Sequence, residues 1–228
     1  MAAVIGEEAR RLSRLVDNLL DLSRLEAGSA EPRREWTSIE ELIRTAVGEL
    51  AARPDDFSLS IDRELPLVRV DPVQMERAFV NVLENARRHS GGHPVSVRAR
   101  AVRGRVGERV IVRVVDRGPG IPPAQLERVF EPFYRAGTAA GGHRGSGLGL
   151  AIARGFTEAS SGTLHVESLP GQGASFVFEL PLEQTARDAP PGDGYGAAAG
   201  QAADPVGSAD ARAQAPPEPA LRDGTPRA

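Results

Sequence analysis

Between Glu35 and Leu182 the sequence alternates between stretches whose apolar residues recur every three or four positions and stretches in which they recur every second position. The first period belongs to a helix with one buried face, the second to a strand with one buried face. Segments of both kinds in one length of chain predict a two-layer α/β sandwich, with helices laid on a sheet. The strongest helix signal is Asp71-Pro72-Val73-Gln74: an aspartate cap, a proline at the first helical position and a glutamine placed to close a capping box. A helix is expected from there to about His89, with Met75, Phe79, Val82 and Ala86 on one face and Asn81, Asn85 and Arg88 on the other. Strands are expected over 95–102 and 109–115, joined across Gly104 to Gly107, and over 163–167 and 174–180, joined by Pro170-Gly171-Gln172-Gly173.

Two segments flank this domain, expected over 35–183. In the first, 1–28, Leu12, Leu15, Leu19 and Leu22 recur at helical steps from Glu7 to Glu26, and Gly28 supplies a stop. So narrow a stripe suits the seam of a dimerization bundle, and it equally suits packing on the chain's own domain. The second, 184–228, holds 13 Ala, 7 Pro and 6 Gly with few larger apolar groups, and is expected to be a disordered tail.

Composition excludes several function classes. Apolar residues at 40% and charged ones at 26% are ordinary for a folded protein, so disorder of the whole chain is out. All 28 basic residues are arginine, which removes a Walker A loop and lysine Schiff-base chemistry. The absence of cysteine removes disulfide frameworks and thiol nucleophiles, and favours a reducing compartment, here the cytoplasm. A net charge of -3 argues against a nucleic-acid partner. No apolar run reaches the roughly 20 residues of a membrane span, so no membrane contact is expected from this segment.

Three motifs carry chemistry. Asp116-Arg117-Gly118-Pro119-Gly120-Ile121 puts a carboxylate before two glycines at a strand end. That composition also makes ordinary tight turns. Gly145-Ser146-Gly147-Leu148-Gly149-Leu150 leads a glycine-rich loop into a helix, where free N–H groups suit phosphate, although such entries also serve packing. Asn81 and Asn85, one turn apart, offer amide oxygens to a hard cation such as Mg²⁺, or are simply surface asparagines.

Taken in order, with Phe130-Glu131-Pro132-Phe133-Tyr134-Arg135 between the two glycine motifs, these elements resemble the ATP-binding catalytic domain of sensor histidine kinases. That family lies in the gyrase, Hsp90, histidine kinase and MutL superfamily, with its Bergerat-type fold. Residues 81–86 resemble its N box, 116–121 and 145–150 its glycine boxes, and 130–135 its F box. Leu19 to Leu25, Arg34-Glu35-Trp36 and Ala151 to Glu158 further resemble the Kdp-type potassium-sensor kinases.

The resemblance implies ATP and Mg²⁺ as cofactors. Asp116 would accept a hydrogen bond from the adenine amino group, with Gly118 and Gly120 lining the base. Asn85, assisted by Asn81, would hold Mg²⁺, and Arg88 would bring a cation to the phosphates. Gly145, Gly147 and Gly149 would offer N–H groups to the phosphates beneath a lid over 136–144, anchored by Phe130 and Phe133. Ile121, Phe133, Arg144, Ser146, Leu148 and Ser175 complete the implied nucleotide contacts.

The resemblance also shows what is missing. Phosphoryl transfer in this family uses a histidine followed by an acidic residue on a helical hairpin. Here His89, His93, His143 and His165 precede Ser90, Pro94, Arg144 and Val166. The leading helix resembles only the second helix of that hairpin, so the chain looks like the carboxyl-terminal part of a larger kinase or a shortened gene product. Its implied partners are a phosphoacceptor hairpin in cis or in trans, a response regulator and a second copy paired through the leading helix. Hydrolytic members of the superfamily carry a glutamate at the place of Asn81, which argues against an ATPase. A noncatalytic module regulating an intact kinase is the alternative.

Overall fold

Asp71 is the cap expected of it: its Oδ1 accepts from the Gln74 N–H at 3.0 Å, while its Oδ2 accepts from the Arg33 N–H at 2.8 Å. One buried carboxylate thus starts a helix and ties down the segment leading into the domain. The computed structural model describes residues 2–28, 31–50, 53, 55–104, 107–135 and 146–183. In chain order its elements are α1 (Ala2–Glu26), β1 (Glu35–Thr37), α2 (Ile39–Leu50), β2 (Phe57–Ile61), β3 (Val68–Val70) and α3 (Pro72–His89). There follow β4 (Val95–Gly104), β5 (Gly107–Val115), two 3₁₀ turns (Pro123–Gln125 and Arg128–Phe130), α4 (Gly149–Ala159), β6 (Thr163–Ser168) and β7 (Ala174–Pro181). The tail over 184–228 and the lid over 136–144 lie outside the described residues.

Five strands form the main sheet in the order β2-β4-β5-β7-β6. The β4–β5 and β6–β7 pairs are the two expected hairpins. β2 pairs parallel with β4, and α3 lies in the crossover between them. β1 and β3 form a separate antiparallel pair that holds Trp36 opposite Arg69. The sequence expectations named neither α2 nor strands β1 to β3; α2 carries its signal in Ile39, Leu42, Ile43 and Ala46, buried at helical steps behind the Ser38 cap, whereas β1 and β3 have only three residues each.

Strand alternation decides which side of the sheet receives the helices. On β5, Val110, Val112 and Val114 are buried, and on β7 so are Ala174, Phe176, Phe178 and Leu180. The matching helix positions are Ile39 and Ile43 on α2, Met75, Phe79, Val82 and Ala86 on α3, and Ile152 and Phe156 on α4. On the opposite side Arg109 bonds Glu179 and Arg113 bonds Glu167, in the register β5–β7–β6. A two-layer sandwich results.

α1 is more widely apolar than a single seam. Leu22 is buried and Leu25 packs beside the core, where Gly155 of α4 leaves space that a Cβ would fill 2.7 Å from Leu25 Cδ1. Leu12, Val16, Leu19 and Leu20 remain exposed. The expected stripe therefore divides, with Leu22 going to the domain and Leu12 and Leu19 left outside. Among the described residues no helix is long and apolar enough to cross a membrane.

Phe79 joins the layers. It is fully buried and meets Phe178 edge to face, with ring centroids 4.9 Å apart. Phe79→Ala is expected to cost about 3–5 kcal/mol of unfolding free energy in a denaturant titration. A loss below about 1 kcal/mol would mean that the layers do not meet there.

Candidate functional site

Asp116 follows directly on the end of β5 and is only 3% exposed. Its backbone N–H donates to the Ala174 carbonyl at 2.9 Å, so the strand pairing runs on into the carboxylate itself. The side-chain Oδ1 accepts from the Gly118 N–H at 2.7 Å and from the Ala174 N–H at 3.3 Å. Both bonds fall on one oxygen, so among the described residues Oδ2 is left for a donor from outside. Burial raises the carboxyl pKa above its ordinary value, while the two N–H donors and nearby His89 act the other way.

Close backbone approach surrounds this carboxylate. A Cβ on Gly118 would strike the His89 carbonyl at the end of α3, and one on Gly173, at φ +78°, would strike the Asp116 carbonyl. Gly120 turns in the same way beneath Leu169. The two loops are stitched together by Ser168, whose Oγ accepts from the Ile121 N–H at 2.8 Å and donates to the Gly173 carbonyl at 2.6 Å. Gly118 and Gly120 therefore each meet main chain that a side chain would strike.

One helical stretch away is a cavity of about 450 Å³. Asn81, Asn85 and Arg88 of α3 line it, facing Ser146, Gly147 and Gly149. A Cβ on Gly149 would sit 3.1 Å from Asn81 Oδ1, so the glycine lets α4 begin against the amide. The first turn of α4 has no side-chain cap, and its N–H groups remain available to an anion. Leu148 is fully buried and anchors the turn, while the Ser146 Oγ accepts from the Leu148 N–H at 3.3 Å. The Phe133 N–H donates to the Gly147 carbonyl at 3.0 Å.

The cavity's charge is lopsided. Asp17 and Asp21 of α1, Glu49 of α2, and Glu76 and Glu84 of α3 line it, against Arg77 and Arg88. Each guanidinium is held by a carboxylate: Arg88 by Glu84 at 2.9 Å, and Arg77 by Asp21. The donor set fits a polyphosphate that arrives with a divalent cation, because amide oxygens suit a hard cation and the acid excess would repel a bare anion.

Asp116, Gly118, Gly120 and Ile121 thus gather at one end of α3, while Asn81, Asn85, Arg88, Ser146, Gly147, Leu148 and Gly149 gather along it. Phe130 is buried beneath Arg154, with 5.0 Å from guanidinium to ring centroid; Phe133 is 62% exposed at φ +62°. Phe130 thus belongs to the core and Phe133 does not; the lid both were expected to anchor lies outside the described residues. Ser175 is not brought to the site: strand alternation turns it to the outer side of the sheet, where its Oγ accepts from Arg113 at 3.3 Å. Arg144 and Gly145 lie outside the described residues. The sequence reading missed Arg77, Gly173 and Ala174. Arg77 was within reach of it, since 77, 81 and 85 share one helix face; the other two act through backbone, which leaves no side-chain signature.

Over residues 70–184 the chain matches the family described as "Histidine kinase-, DNA gyrase B-, and HSP90-like ATPase". It is 37% identical over 183 residues to the alginate biosynthesis sensor protein KinB of Pseudomonas aeruginosa, across 78% of this chain and 30% of that protein. It is 37% identical over 186 residues to the sensor protein KdpD of Mycobacterium tuberculosis, across 79% of this chain and 21% of that protein. The solved structure of full-length ShkA in complex with AMPPNP is similar with a TM-score of 0.67 at 30% identity, across 78% of this chain and 37% of that one. The chain spans 30% and 21% of the lengths of the two sensor proteins.

The direction of the Asp116 shift sets a pH dependence. A carboxyl whose pKa is raised on folding adds stability below its unfolded value, about 3.9, and loses it as pH climbs through the raised value. Asp116→Asn has no such loss. Denaturant titrations at several pH values are expected to show the parent falling behind this variant as pH rises from about 4. A parent that gains on it over that range would mean that burial is not the dominant influence.

Proposed function

Because the chain belongs to the histidine kinase-, DNA gyrase B-, and HSP90-like ATPase family, we propose that it is the ATP-binding catalytic part of a two-component sensor histidine kinase. Its reaction passes the terminal phosphate of Mg-ATP to a histidine on another helix. The observation that carries this reading is the Asp116 carboxylate, buried with Oδ1 committed to backbone and Oδ2 available beside the end of α3. An acceptor there pairs with an exocyclic amine, as adenine offers and guanine at the same place does not.

The other residues take their roles from where they stand along α3. Asn85 and Asn81 offer amide oxygens to Mg²⁺. The metal, when bound, neutralises phosphate charge that the carboxylates of the cavity would otherwise oppose. Gly147, Gly149 and the uncapped first turn of α4 present N–H groups to phosphate oxygens, and Arg88 adds a guanidinium that holds two oxygens at once. Asn81 occupies the place of the hydrolytic glutamate; an amide takes no proton from water, which favours transfer over hydrolysis. In that transfer the terminal P–O bond breaks to release ADP, an N–P bond forms on imidazole, and the ring proton leaves with a base near the acceptor. The work of this chain is positioning and charge stabilisation, which phosphoryl transfer chiefly needs.

The exposed apolar side of α1, with Leu12, Val16, Leu19 and Leu20, supports a bundle with a phosphoacceptor helix and a second copy. A response regulator is the downstream partner this chemistry calls for. The lack of cysteine supports work in the reducing cytoplasm. The likeness to the sensor protein KdpD, together with the resemblance of Leu19 to Leu25, Arg34-Glu35-Trp36 and Ala151 to Glu158 to Kdp-type kinases, supports a place in potassium signalling.

Two measurements test the reading. The purified chain, mixed with radiolabelled Mg-ATP and a separately made phosphoacceptor hairpin of a related kinase, is expected to label the hairpin and not itself. Self-labelling, or an unlabelled hairpin despite bound ATP, overturns the transfer assignment. In calorimetry, Asp116→Asn is expected to weaken ATP binding by about 1.5–3 kcal/mol, roughly ten- to a hundredfold, because the lost bond is charge-assisted. Unchanged affinity would remove Asp116 from the adenine site.

A further inference from the structure

Both guanidiniums of the cavity are already held by carboxylates, and the two pairs differ in what they connect. Arg88 and Glu84 are four residues apart on α3, so exchanging one anion for another there moves nothing else. Arg77 and Asp21 are 56 residues apart and join α3 to α1. Asp21 is 5% exposed, and a buried carboxylate that loses its cation carries a large desolvation penalty, so this pair holds α1 in place.

Arg77 also stands one turn before Asn81 and two before Asn85. Successive side chains on such a face are about 5–6 Å apart, and all three line the same cavity. The guanidinium that docks α1 is therefore also within one helical turn of the amide pair proposed above to meet the metal and phosphates. Arginine holds carboxylate and phosphate by the same two-pronged geometry, so the two anions are alternative partners for it.

We propose that Arg77 is a further nucleotide-binding residue, shared between Asp21 and the terminal phosphate of the nucleotide, so that nucleotide binding and the docking of α1 oppose each other. The inference rests on the nucleotide reading above. Linkage makes the effect reciprocal: whatever factor the Asp21 bond takes from nucleotide affinity, bound nucleotide takes from α1 docking. Leu22 in the core and Leu25 against Gly155 are apolar anchors of α1, and neither competes with an anion. Nucleotide thus loosens the pair on the cavity side while those anchors keep α1 attached. The element that loosens is the one whose outer side carries Leu12, Val16, Leu19 and Leu20, so occupancy of the cavity is transmitted to that apolar surface.

The test is a double-mutant cycle on the whole chain, with Mg-ATP affinity read by calorimetry. Asp21→Asn keeps the shape of the side chain and removes its charge; it is expected to tighten binding, on the order of fivefold. Arg77→Ala is expected to weaken binding, and in its background Asp21→Asn is expected to change nothing. Hydrogen exchange over 15–26 is expected to quicken when Mg-ATP is added to the parent, and to respond less in Asp21→Asn. Equal or weaker binding by Asp21→Asn, or parent-like binding by Arg77→Ala, overturns the sharing of Arg77 and leaves the nucleotide site standing. A parent chain that does not bind Mg-ATP overturns the nucleotide reading and this inference together.

Discussion

α3 has to satisfy two environments along one length, and the rest of the domain is arranged by that requirement. Its apolar side, through Met75, Phe79, Val82 and Ala86, fills the space between helices and sheet. The polar side, through Arg77, Asn81 and Asn85, walls the cavity. The 3.6-residue repeat keeps these sets apart, so the same burial that holds the helix against the sheet aims the amides outward. Phe79 against Phe178 fixes the depth of the helix, and with it the height of the amides above the glycine turn before α4.

Close contact of main chain with main chain closes the Asp116 end. Gly118 lies against the His89 carbonyl and Gly173 against the Asp116 carbonyl, so two loops far apart in sequence meet with no side chain between them. The strand pairing at Ala174 and the Ser168 bridge hold that arrangement. A carboxylate placed there is dry enough to bond selectively; burial favours its neutral form, and the backbone donors and His89 nearby act against that. Selectivity and instability have one origin in this site: the burial that sharpens the bond to a ligand penalises the empty carboxylate.

Electrostatics link the cavity to the leading helix. The cavity holds more carboxylates than guanidiniums, and its two arginines are both engaged. Affinity for a polyanion therefore depends on a cation and on partner exchange, and one of those exchanges crosses between elements. A site built in this way reports its occupancy to α1 without any hinge being required.

The chain by itself determined the layers, both hairpins, the extent of α3 and the identity of most groups that face the site. Periodicity, a capping aspartate and glycine at turns are local properties, legible in consecutive residues. Asp116, Asn81 and Asn85 were visible because their chemistry is carried by side chains at fixed spacing. Only the tertiary structure decided that Ser175 turns away, since its facing depends on strand register, and that Leu22 leaves its stripe to enter the core while Leu12 and Leu19 stay outside. It alone revealed Gly173 and Ala174 as neighbours of the Asp116 carboxylate, because they act through backbone groups common to every residue. The bond from Asp21 to Arg77 belongs to the same class: each charge is plain in the sequence, but which of many carboxylates reaches that guanidinium is set by the distance and burial that folding alone creates.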